Sequence, residues 1–138
     1  QQNGLVGWYY QDYYENPMWL SAPKMVRIDQ RIGPGDWVNA NFRFSIIWRG
    51  QIEATQAGEY AFGAESLDGS WVYVDGRLVV DNGGRHPSRY AEGRVTLSQG
   101  QHDIEVRYFV ETDRPQMELY WTPPDHQREI VPPRGLSP

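Results

Sequence analysis

Hydrophobic and polar residues alternate with a period of two along most of this chain. Phe42, Phe44, Ile46 and Trp48 alternate with Arg43, Ser45 and Arg49, and Tyr60, Phe62 and Ala64 lie opposite Glu59 and Glu65. Ile104, Val106 and Tyr108 alternate with Glu105 and Arg107, as Met117, Leu119 and Trp121 do with Glu118 and Tyr120. A period of two places every second side chain on one face of a strand, so each run is predicted as a half-buried strand. Shorter β-prone runs are Gly4–Tyr10, Lys24–Ile28 (an edge strand), Gln51–Ala54 beyond a bend at Gly50, and Val95–Leu97. Gly33-Pro34-Gly35, Thr55–Gly58 and Ser98–Gln101 punctuate the chain as turns. Gln11–Pro23 reads as an irregular wrap, Asp81–Glu92 as a long polar loop, and the chain from Thr122 as a proline-rich strap. No stretch keeps a 3.6-residue repeat. The predicted fold class is all-β, an antiparallel sandwich or barrel with little or no helix.

One hairpin stands out. Trp71–Val74 and Leu78–Val80 flank Asp75-Gly76, and a two-residue Asp-Gly loop suits the twist of paired strands because glycine takes positive φ without a Cβ clash. The turns at Asp68-Gly69 and Asp81-Asn82-Gly83-Gly84 then fall together at the opposite end. Asp68, Asp81 and Asn82 are therefore candidates to share one oxygen-rich region. Trp71 and Tyr73 alternate with Val72 and Val74; one pair faces the core, and at least one of the two rings is expected there.

Composition narrows the function classes. The 138 residues are read as a single domain, 1–138, large enough for a substantial core. Six Trp and nine Tyr raise the aromatic share to 14%, which suits stacking on sugars as well as core building. A net charge of −5 argues against a nucleic-acid partner. The chain has no cysteine and only His86, His102 and His126, a poor set for zinc or for a thiol active site. No apolar run approaches the roughly 20 residues that cross a bilayer as a helix. The chain starts Gln1-Gln2-Asn3 and ends Leu136-Ser137-Pro138, and reads as a domain from a larger extracytoplasmic protein.

The residues carry a family pattern. Gly4-Leu5-x-Gly7-x-Tyr9, the run Phe44-Ser45-Ile46-Ile47-Trp48-Arg49-Gly50-Gln51-Ile52, and Ala57-Gly58-Glu59-Tyr60-Ala61-Phe62 followed by Ser66–Asn82 stand in order. Leu97-Ser98-Gln99-Gly100-Gln101-His102-Asp103-Ile104 and Leu119-Tyr120-Trp121 complete it. From about Gly4 to Pro132 the chain resembles the protective-antigen-type β-sandwich, the PA-14 domain. That resemblance implies an extracellular or cell-surface accessory domain that binds a glycan or polysaccharide, in some members through calcium. The ion is held there by two consecutive Asp residues before the signature hairpin and by a loop after the penultimate long strand. Carried onto this chain, the pair falls at Leu67-Asp68, so Leu67 replaces the first Asp. Glu111 and Asp113 in the partner loop are the residues that could restore the charge, since calcium takes six to eight oxygens.

The candidate metal ligands are thus Asp68, Glu111 and Asp113, with Ca2+ as the cofactor the family suggests. The candidate carbohydrate-binding residues are Asp68, Trp37, Tyr90, Glu111 and Asp113; Trp19 joins Trp37 and Tyr90 as a stacking ring in an irregular stretch. Each has a plainer reading: Asp68 shapes an Asp-Gly turn, the acidic residues are solvated loop charges, and the rings seal sheet edges. His102 is expected to be structural. No nucleophile elbow, phosphate loop or metal-hydrolase helix is present in the sequence, and no enzyme activity is expected. The expected function is a non-catalytic carbohydrate-binding module; the alternative is a structural or protein-interaction sandwich that has lost the calcium site.

Overall fold

The described residues form eleven strands: β1 Leu5–Tyr10, β2 Met25–Asp29, β3 Phe44–Ala54, β4 Gly58–Ser66, β5 Ser70–Val74, β6 Arg77–Asn82, β7 Arg89–Leu97, β8 Gly100–Val110, β9 Met117–Thr122, β10 Glu129–Ile130 and β11 Leu136–Ser137. This computed structural model describes residues 2–11, 22–35, 43–112 and 114–138. Among them the only helical turn is a 3-10 turn at Pro133–Gly135. Every strand pairing is antiparallel. One sheet has seven strands in the order β2-β1-β3-β8-β5-β6, with β11 also on β3; the other has four in the order β10-β9-β4-β7. The alternating apolar positions meet between the sheets, where Trp48, Tyr60, Phe62, Val106 and Tyr108 are fully buried. This is an antiparallel β-sandwich, one of the two all-β architectures that the alternation leaves open.

Three local expectations change. Gly50 does not bend the chain; β3 pairs with β8 without interruption from Phe44 to Ala54. Its glycine is needed because β11 crosses there, and a Cβ would lie 2.3 Å from the Ser137 carbonyl oxygen. Both ends of the expected polar loop 81–92 are strand: β6 runs on to Asn82, and β7 begins at Arg89 and pairs along β4. Its core-facing positions include Ala91 and Gly93, too small to show as alternation. A Cβ on Gly93 would reach within 1.8 Å of the Val79 carbonyl oxygen, so the small residue lets β6 of one sheet close against β7 of the other. Finally, Val72 and Val74 fill the core at 0% exposure, and both Trp71 and Tyr73 face outward and are half-buried. The core beneath this sheet also holds Tyr108 and Trp48, whose rings stack at 6.4 Å.

The Asp75-Gly76 turn forms as read, with φ of 51° and 79°, the pair of positive values a two-residue hairpin loop needs. It is pinned from β8. Asp75 Oδ1 accepts the Asp103 amide at 3.0 Å and Asp75 Oδ2 lies 2.7 Å from His102 Nδ1. His102 Nε2 faces the Ser98 carbonyl at 2.8 Å, so both ring nitrogens meet acceptors and the imidazolium fits best. The Ser98 carbonyl is the main cause that raises the His102 pKa above 6.5; burial opposes it, and the Asp75 and Asp103 carboxylates add to it. A folded-state pKa raised above the unfolded value gives stability that is full below about pH 6.5 and is lost as pH climbs through the folded pKa. Thermal melts at constant ionic strength should therefore show a lower melting temperature at pH 8.5 than at pH 6, with the His102→Gln variant losing that difference. An equal pH difference in the variant would show that this turn is not its source.

Candidate functional site

The Asp68 end of the sandwich is built by the turn between β4 and β5. Asp68 sits at φ 66°, a left-handed position that Asp tolerates, and the Leu67–Asp68 peptide is trans. The residue is only 7% exposed. Oδ1 accepts the His86 amide at 3.2 Å, and Oδ2 accepts the Glu111 amide at 3.0 Å. The Asp68 amide in turn donates to the His86 carbonyl at 2.9 Å. Asp68 thus ties together the loops that follow β6 and β8.

Behind it lies a buried polar cluster. Ser66 Oγ and Ser70 Oγ are 2.7 Å apart, and Asn82, fully buried, donates to the carbonyls of Ala64 and Arg89 at 3.2 and 2.9 Å. Arg89 Nε donates to Asn82 Oδ1 at 2.8 Å. Asp81 does not join this cluster. It is exposed and accepts the Gly83 amide at 3.1 Å, shaping its own turn. Asp68 and Asn82 therefore occupy one region as expected, and Asp81 points away because its neighbour in the strand, Asn82, takes the inward place.

Glu111 turns its Oε2 toward the guanidinium of Arg85. Trp37, Trp19 and Asp113 lie outside the described residues. Asp68 and Glu111, the candidate ligands among the described residues, are each engaged by protein groups. Leu67 offers no oxygen and packs against the core, Asp68 spends both carboxylate oxygens on backbone amides, and Glu111 has a cationic neighbour. No group of three or more His, Asp or Glu with metal-holding geometry occurs among those residues.

Tyr90 leads to a different place, the outer face of the smaller sheet. In register across that face, Tyr120, Gly63 and Glu92 form one row and Glu118, Glu65 and Tyr90 the next. The Tyr90 ring crosses onto Gly63, where a Cβ would come within 2.2 Å of the phenol oxygen; only glycine leaves this bed. Tyr90 meets Tyr120 edge-to-face at 5.7 Å between centroids. The exposed Arg128 guanidinium lies across both rings, 4.7 Å from Tyr90 and 5.0 Å from Tyr120, within cation–π range.

The polar rim is all carboxylate. Tyr90 donates to Glu92 Oε2 at 2.9 Å and Tyr120 to Glu65 Oε1 at 3.3 Å. Burial, then the Glu92 hydrogen bond, raises the Tyr90 pKa; burial, then the charges of Glu65 and Glu118, raises that of Tyr120. Both phenols stay protonated donors at neutral pH. The result is an aromatic bed with acceptors along its edge and one exposed guanidinium above it.

Comparison with known proteins places the whole chain. The profile of the PA14 domain matches residues 1–135. The chain belongs to the PA14 domain family. The anti-sigma-I factor RsgI3 of Acetivibrio thermocellus is 29% identical over 143 aligned residues, covering 99% of this chain and 21% of that protein. This PA14 domain thus spans about a fifth of the length of that curated relative. An anti-sigma factor domain-containing protein from Clostridium clariflavum superposes with a TM-score of 0.86 at 26% identity, over 99% of this chain and 47% of that one. The PA14 sugar-binding domain from an RTX adhesin superposes at 0.82 and 18% identity, over 99% of each chain, a likeness of fold.

Within this PA14 domain, sequence reading located Asp68 and Tyr90 but not the partners that decide their roles. Gly63 and Tyr120 lie 27 residues or more from Tyr90 in sequence and reach it only through sheet pairing. The one available signal was Gly63 itself, a glycine inside an otherwise regular strand, which marks close approach of another group. Trp71 too has partners that its sequence neighbours do not mark. It stacks on Phe109 at 5.9 Å, and Gly69 and Gly83 are both required beside that pair, since their Cβ atoms would lie 2.2 Å from Phe109 and 2.7 Å from Trp71.

Proposed function

We propose that this PA14 domain is a non-catalytic carbohydrate-binding module within a longer extracytoplasmic protein. The observation that carries the reading is the Tyr90–Tyr120–Arg128 platform with Glu65 and Glu92 at its edge. A pyranose presents an apolar C–H face and a rim of hydroxyls; the two phenol rings suit the first, and carboxylates beside phenolic donors suit the second. Arg128 is exposed and can move aside or add donors. The sugar-binding name of the adhesin domain supports the reading, as does the small share of the anti-sigma relative that the domain occupies, which is the size of an accessory unit. The platform needs no calcium.

The test is retention on insoluble cellulose, xylan and galactomannan, and mobility in gels containing their soluble forms, with 1 mM calcium and with chelator. Tyr90→Ala is expected to weaken retention by about tenfold, equal to about 1.4 kcal/mol, with the melting temperature held within a few degrees. Gly63→Ala, which displaces the Tyr90 ring, should act in the same direction. A second reading, a structural or protein-interaction domain, is favoured by the full engagement of Asp68. It would take over if no glycan retained the domain in either condition.

A further inference from the structure

The outer face of the larger sheet carries an open groove of about 480 Å3 that no part of the reading above uses. Its size falls within the range of small-ligand sites, roughly 300–1,000 Å3. The floor is β3, β8 and β5, and the Asp75-Gly76 turn closes one end. In register, Arg49, Glu105 and Tyr73 form a row straight across it, with Gln51 and Asp103 in the next row.

The side chains in it are held in a set order. Glu105 lies between two guanidiniums: Arg49 Nε is 2.9 Å from Oε1 and Arg107 Nε 2.5 Å from Oε2. Arg107 covers the Tyr73 ring at 4.5 Å and Arg49 faces the Trp8 ring at 5.4 Å. Gln51 Nε2 donates to Asp103 Oδ1 at 3.1 Å. The Arg49 guanidinium is half exposed, and an ion pair exposed in this way contributes about 0–1 kcal/mol, so stability does not account for its place beside Glu105. The face therefore presents Glu105 between the Arg49 and Arg107 guanidiniums, with Asp103 on the other side of Glu105 along β8, and the half-buried rings of Tyr73 and Trp8 beside the two arginines.

The close juxtaposition of guanidinium donors and carboxylate acceptors selects a ligand class. A vicinal diol both donates and accepts at adjacent oxygens, matching a guanidinium beside a carboxylate. An anion is disfavoured, since Glu105 and Asp103 already balance the two guanidiniums. A purely apolar segment would strand all four charged groups. We infer that this groove is a second glycan site, taking neutral pyranose units of an extended chain against Tyr73 and Trp8. It rests on the carbohydrate reading, and it gives the domain a binding face on each side of the sandwich, so that one domain can hold two chains.

A titration of the 15N-labelled domain with soluble hydroxyethylcellulose, arabinoxylan and galactomannan separates the possibilities. The expected result is saturable shifts of the amides of Gly76, Asp103 and Glu105 together with those of Gly63 and Glu92. Glu105→Gln, which keeps the side-chain volume, should weaken the first set by about tenfold and leave the second unchanged. Shifts confined to Gly63 and Glu92 would overturn this inference and leave the proposed function standing. Shifts confined to the groove would support it and move sugar binding away from Tyr90. No shift with any of the three glycans would overturn both.

Discussion

Asp68→Ala is expected to lower the melting temperature by about 10 °C or more, and calcium is expected not to restore it. The alanine removes a charged acceptor from two backbone amides, those of His86 and Glu111, in a site where Asp68 is 7% exposed. Each such bond to a charged group contributes about 1.5–3 kcal/mol. Alanine also tolerates the left-handed φ of 66° poorly, at about 1 kcal/mol. A combined loss of about 4 kcal/mol corresponds to about 12 °C at this chain length. Asp68→Asn keeps one acceptor and the left-handed tolerance, so about half the loss should remain.

The same instrument decides the ion. Melting of the unaltered domain should be equal in 1 mM calcium and in chelator, because Asp68 has no oxygen without a protein partner. A site of 10 μM affinity would instead contribute about 2.7 kcal/mol, or about 8–10 °C. A rise of that size would overturn the view of Asp68 as a loop clamp.

Asp29→Ala should be comparably severe, at about 3–5 kcal/mol, from a residue with no part in ligand binding. Asp29 is 8% exposed and accepts from Tyr9, from Trp48 Nε1 at 2.8 Å and from Arg27 Nε at 2.7 Å. Gly7 permits this convergence; its Cβ would lie 2.9 Å from Asp29 Oδ2 and 3.0 Å from Trp48. Burial, then the hydrogen bond to Asp29, drives the Tyr9 hydroxyl far above its ordinary ionisation range, so it remains a donor throughout. Removing the carboxylate strands an indole N–H and a phenol that have no exposure to water. Asp29→Asn should recover less than half, because its amide group turns a second donor toward them. Urea melts of the three proteins measure this, and a loss below about 1 kcal/mol for Asp29→Ala would mean that water or a rearranged neighbour satisfies the donors.

The contrast between these two aspartates shows how far the sequence reaches. Asp68 is marked locally by its glycine neighbour and its place before a hairpin, yet its role depends on amides 18 and 43 residues away. Asp29 carries no local mark at all; it sits at the end of a short alternating run, and only the approach of Tyr9 and Trp48 makes it a buried acceptor. The family resemblance pointed to an ion at Leu67-Asp68, while the geometry turns the carboxylates of Asp68 and Glu111 toward protein groups.

By itself the sequence determined the fold class, the strand set apart from β7 and the closing strap, and the Asp75-Gly76 turn. Those follow from period-two alternation and from backbone preferences that act within a few residues. The tertiary structure alone decided that Trp71 and Tyr73 face out, that Gly63 makes a bed for Tyr90, and that Arg49, Glu105 and Arg107 line one groove. Each of these depends on which strands become neighbours, and a one-residue change of register would send the same side chains to the opposite face.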